Sequence, residues 1–137
     1  MHPKLQRGSY LPDLGIAAAA FTAFLSILTI SDPPALAVKA VEHFSIGIPL
    51  LIACFFLPEI KKNAALQYFI LWLSSGLVVF GNLSCLLGIH NCFKIVSPIA
   101  GNHFKQIGIF IFLLSLSGSA YELIEATIVR IKSKRVQ

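Results

Sequence analysis

Charge is scarce in this chain. Of its 137 residues only 12% are Asp, Glu, Lys or Arg, where a soluble domain carries roughly 25%. Cysteine is scarce too. Cys54, Cys85 and Cys92 form no CxxC and no zinc-ligand spacing, which argues against a disulfide scaffold or a zinc module. There is no two-residue alternation of apolar and polar side chains, so a membrane β-barrel is not expected. Also missing are an internal repeat, a Gly-rich phosphate loop after a strand, an HExxH motif and a nucleophile–base pair on one helix face. No link is long enough to build a soluble active site. The reading is a protein that is not an enzyme and uses no cofactor or metal. The net charge of +5 sits in flanks and links rather than on one basic face, so nucleic acid is not an expected partner.

What is present is apolar sequence: 56% hydrophobic residues and a mean hydropathy of +0.80. Four runs stand out, at about 14–31, 35–57, 64–89 and 104–129. A bilayer core of roughly 30 Å needs about 20 helical residues. The third and fourth runs meet that easily. The first is short, and the second reaches only by including Lys39, Glu42 and His43. Short links make successive helices antiparallel neighbours. The expected fold is an all-α membrane protein, one domain over 1–137, built as an antiparallel up-down bundle of four transmembrane helices. Pro49 should kink the second helix near Ser45.

Positive charge orients the bundle. Lys4, Arg7, Lys61, Lys62, Arg130, Lys132, Lys134 and Arg135 fall on one side of such a bundle, and Lys39, Lys94 and Lys105 on the other. The positive-inside rule puts both termini in the cytoplasm, with the chain in the cell (inner or plasma) membrane. Tyr10, Tyr68, Trp72 and Tyr121 all lie near the inner interface, where amphipathic rings settle. A competing reading takes the first run as a signal peptide cut after Ala35-x-Ala37; retention of the first span is expected.

Small and polar residues recur at seven-residue spacing, nearly two turns, and so form stripes. They are Gln67–Ser74–Gly81–Gly88 in the third run and Gly108–Ser115–Glu122 in the fourth, with Ser119 and Ala126 close by. The second run offers Ala40–Gly47–Cys54, and the first Gly15–Thr22–Thr29. In membranes small residues let backbones approach and hydroxyls bond across, so these rows read as packing seams. The rows of the third and fourth runs are expected to face each other. A carboxylate in hydrocarbon is costly and marks a functional hypothesis by default. Glu122 is expected in that seam beside Gln67, and Glu125 near water. On the outer side, Lys39, three residues before Glu42, is a better partner for it than the adjacent His43, and Cys85 and Cys92 are the alternative of a disulfide pair in an oxidising compartment.

The stretch SDPPALAVKAVEHFSIGIP, residues 31–49, resembles the outer link and second span of the small four-span immunity proteins that protect bacteria from pore-forming bacteriocins. That resemblance implies a bundle with both termini inside that binds the helices of an inserted toxin. The residues themselves point first to a non-enzymatic accessory or assembly subunit. Its partners would be the lipid bilayer and other membrane helices, in a homo-oligomer or hetero-complex. A small oligomeric transporter or channel subunit with Glu122 as coupling group is the alternative.

Overall fold

A computed structural model describes residues 11–56 and 64–134; within these, the side chains of Leu11, Pro12, Phe55, Ala64, Ala65, Gln67, Glu122, Ser133 and Lys134 fall outside the description. The described residues are all-helical. They form α1 (Leu11–Leu28), α2 (Ala35–Phe56), α3 (Ala64–Val96) and α4 (Pro98–Lys134). Three stretches, Ala35–Cys54, Tyr68–Val96 and Pro98–Lys132, are long and apolar enough to cross a membrane; the apolar part of α1, Asp13–Leu28, is shorter.

Turn chemistry sets the helix ends. Pro34 starts α2, its carbonyl accepting from the amides of Ala37 (2.7 Å) and Val38 (3.2 Å). A loop over about 90–103 does not form. Instead α3 runs on through His90, Asn91 and Lys94, and a single residue, Ser97, separates it from α4. Polar side chains end an apolar run without ending a helix. The stop comes from Ser97-Pro98, because proline disfavours helical backbone in the residue before it. Pro98 then sits at the first helical position and the Ser97 hydroxyl accepts from the Ala100 amide at 3.4 Å, the geometry of an N-cap. Around this corner the Phe93 and Phe104 rings stack with centroids 4.9 Å apart. His90 Nδ1 donates to the Gly101 carbonyl at 2.9 Å, which fixes the ring tautomer, since a carbonyl can only accept. α2 is continuous through Pro49, whose ring faces outward.

The tightest packing joins α2 to α3. Buried positions on α2 are Ala37, Ala40, Phe44, Gly47, Leu51 and Cys54, alternating steps of three and four that draw one stripe down the helix. Opposite stand Ser74, Val78, Gly81, Cys85 and Gly88 of α3, all buried. A Cβ on Gly47 would lie 2.9 Å from the Gly81 carbonyl oxygen and 2.9 Å from the Cys85 amide nitrogen. One on Gly81 would meet Leu51 at 2.8 Å, and one on Gly88 the Phe44 ring. Further along, the Cys54 thiol donates to the Ser74 carbonyl at 3.5 Å. Residue numbers rise in α2 as they fall in α3.

The Gln67–Ser74–Gly81–Gly88 row therefore does not meet the row of the fourth run: Ser74, Gly81 and Gly88 lie against α2. The row Gly15–Thr22–Thr29 is also misplaced, since all three residues are exposed. Thr22 and Thr29 instead satisfy their hydroxyls on backbone carbonyls of α1, Ala18 at 3.0 Å and Ser26 at 2.7 Å. α1 packs through Ala17, Ala20 and Ile27, which join Ala37, Ala40, Phe44, Leu51 and Cys85 in one core cluster.

Candidate functional site

Few polar side chains enter this apolar core, so each invites an explanation. Asn82 is wholly buried near the middle of α3. Its side-chain nitrogen donates to Asp13 Oδ1 of α1 at 2.6 Å and to Ser115 Oγ of α4 at 3.0 Å. One amide thus ties together three helices. Its carbonyl oxygen, Oδ1, is buried and has no hydrogen-bond partner among the described residues. Asp13 stands in the first turn of α1, where the helix dipole favours a negative group, yet it lines a small open pocket with Leu14, Ala17, Leu51, Ile52, Cys54 and Val78. A carboxyl, an amide and a hydroxyl in line can hold a proton or a small polar ligand. They offer no nucleophile–base pair.

A second polar contact joins α3 and α4 further toward the start of α3. The Thr127 hydroxyl donates its one proton to the Leu123 carbonyl at 2.7 Å, so the Tyr68 hydroxyl is the donor in its 2.9 Å bond to Thr127 Oγ1. The Arg130 guanidinium lies 4.7 Å from the Tyr68 ring centroid, within cation–π range.

These contacts set the register of α3 against α4: Tyr68 is level with Thr127, Asn82 with Ser115, Phe93 with Phe104. On that register the backbone of Glu122 is level with Leu73–Ser75. Gln67 lies about six residues away, or roughly 9 Å along the axis. The expected opposition of Gln67 and Glu122 is therefore out of register, because α4 runs on to Lys134, past the end of its apolar run; the side chains of both lie outside the described residues. Glu125 is exposed. Ser119 is half-buried, as is Ser115, the member of the fourth-run row that makes the polar contact. Gly108 is buried, but a Cβ there would meet only Phe104 at 3.7 Å, an ordinary contact.

The disulfide alternative does not survive. Cys85 and Cys92 are both free. They sit seven residues apart in one helix, about 10 Å along the axis, beyond the reach of an S–S bond. Among the described residues, His, Cys, Asp and Glu do not gather in threes that could hold a metal. Asp13 and Asn82 escaped the reading of the sequence. Asn82 is the lone amide in the middle of the third apolar run, which was a usable signal. Asp13 precedes the first run and resembles an ordinary helix-start acid.

No protein-family model matches the chain, and neither curated proteins nor solved structures yield a match.

Proposed function

We propose that this chain is an integral membrane protein, a four-helix up-down bundle with both termini in the cytoplasm. In this reading it acts without catalysis, by binding other membrane helices along α4. The observation that carries the reading is the state of α4. Its apolar stretch is only 6% buried inside the chain, and among the described residues its strong packing is against α3 alone. Apolar exposure by itself is satisfied by lipid. Small residues on the open face are a different matter: Ser117, Gly118 and Ala120 are all exposed, and a Cβ on Gly118 would meet nothing within 4 Å among the described residues. In a bilayer, such residues are where a second helix backbone can approach. The partner helix belongs to a second copy, to another subunit or to an inserted toxin. Gly118→Ile should fit the isolated fold and yet abolish assembly, read by cross-linking in native membranes and by mass in detergent. An unchanged assembly state in that variant sinks the reading.

A second reading, a small oligomeric transporter or channel subunit, is favoured by the buried contact between Asp13, Asn82 and Ser115, with Glu122 as a further ionisable group. Liposome flux that Glu122→Gln or Asp13→Asn abolishes would select it, and absence of flux selects helix binding.

A further inference from the structure

Asn82 has an unfilled need. Its nitrogen is used twice, but Oδ1 is buried and receives no donor among the described residues. Native cores seldom leave such an atom orphaned. The group beside it is a carboxyl whose Oδ1 already accepts from the same amide at 2.6 Å.

We propose that Asp13 is a proton-binding site, its carboxylic acid O–H donating to Asn82 Oδ1 while Asn82 Nδ2 donates back to Asp13 Oδ1. This closes a reciprocal acid–amide pair across α1 and α3 and satisfies the orphaned oxygen. The proton comes from water on the side to which the pocket at Asp13 opens, and returns there on release. Turning the amide over leads to the same proton. The Asn82 oxygen would then face Asp13 Oδ1 at 2.6 Å, a separation two oxygens tolerate only with a hydrogen between them. The surroundings agree. From α3 comes the neutral Asn82, from α4 the neutral Ser115 beyond it, and from α2 Leu51, Ile52 and the Cys54 thiol. Two influences oppose it: the hydrogen bond donated by Asn82 Nδ2, which favours the carboxylate, and the start of α1, whose first-turn amides favour an anion; burial among apolar side chains is the larger effect. The consequence is proton-linked docking of α1. The acid–amide pair is complete at acid pH and is lost as the pH rises through the ionisation of Asp13, so α1 loosens from α3 in alkali.

The site does not depend on helix binding by α4. The chain contains two aspartates, Asp13 and Asp32, and Asp32 is exposed in the link before α2. Protein carrying 13C only at the aspartate side-chain carboxyls, reconstituted in lipid, should give two signals at pH 7. One of the two should sit at the protonated position and vanish in Asp13→Asn. Backbone hydrogen exchange supplies the second readout. Protection of α1 in the wild type should fall with pH relative to Asp13→Asn, whose amide preserves the reciprocal pair without a proton. An Asp13 signal at the ionised position at pH 7 would overturn the proposal. So would an α1 that loses protection at every pH in Asp13→Asn, or a labelled Asp13 signal that moves with added sodium at fixed pH, which would mark a cation site.

Discussion

Gly47 of α2 and Cys85 of α3 occupy each other's space. A Cβ built on Gly47 comes within 2.7 Å of Cys85 Sγ and 2.9 Å of the Cys85 nitrogen. Two of the three close neighbours are backbone atoms that cannot step aside. Gly47→Ala should therefore destabilise the fold by about 1–3 kcal/mol, the usual range for overpacking. Gly15→Ala and Gly76→Ala, where a Cβ meets nothing within 4 Å, should instead stabilise by about 0.5–1 kcal/mol from helix propensity. Denaturation in mixed micelles of the three variants checks the ordering, and equal effects at Gly47 and Gly76 would refute the close approach.

Phe44 over Gly88 gives a coupled version of the same test. Phe44 is fully buried, and a Cβ on Gly88 would collide with its ring, 2.6 Å from Cδ1. Phe44→Ala should cost about 3–5 kcal/mol. Gly88→Ala should be destabilising alone, but the double variant should be less damaged than the sum, because the shortened residue 44 leaves room for the new methyl. A double-mutant cycle with additive energies would show that the two residues do not meet.

Much of this seam is visible in the sequence and some of it is hidden, for reasons that lie in particular residues. Ala40, Gly47 and Cys54, and likewise Ser74, Gly81 and Gly88, are small residues seven apart, and helical phase alone puts each set on one face. Phase does not say which face meets which helix. Choosing α2 over α4 as the partner of Gly81 needs Leu51 and Phe44, whose side chains fill the places beside the glycines. Asn82 was hidden by its neighbour, since a residue one step from Gly81 falls about 100° off the row and so points to α1 and α4. In α1 the threonines drew attention to the wrong face, because their hydroxyls are satisfied by their own helix and need no partner across a seam.

Thiol chemistry should rank the cysteines by burial. Cys54 and Cys85 are buried and Cys92 is half-exposed. A small maleimide should label Cys92 first in the folded protein and reach Cys85 only after unfolding. Non-reducing mass spectrometry should find no Cys85–Cys92 link, and Cys92→Ser should accumulate normally. Prior labelling of Cys85 would contradict the α2–α3 packing.

The topology in the membrane is open to a direct check. Reporter fusions at Gln137 should be cytoplasmic and a fusion after Ser97, at the corner between α3 and α4, should lie on the opposite side, as the charge asymmetry demands. The first helix should be retained, because Ala17, Ala20 and Ile27 belong to the core cluster; N-terminal sequencing that began at Val38 would contradict this.

The two glutamates of α4 should behave differently, and Gln67 should be coupled to neither. Glu125 is exposed, so Glu125→Gln should change stability by no more than about 0.5 kcal/mol, the scatter of surface substitutions. The bonds from Tyr68 to Thr127 and from Asn82 to Ser115 fix the sliding position of α4 along α3. That position leaves the backbones of Gln67 and Glu122 about 9 Å out of step. Residues that far out of step usually add in their effects. A cycle of Gln67→Ala and Glu122→Gln should therefore close to within about 0.5 kcal/mol. Tyr68→Phe paired with Thr127→Val, by contrast, should show coupling near the average of about 0.6 kcal/mol for hydrogen bonds between membrane helices. Strong coupling between Gln67 and Glu122, with none between Tyr68 and Thr127, would mean that α4 is shifted along α3 by more than a helical turn.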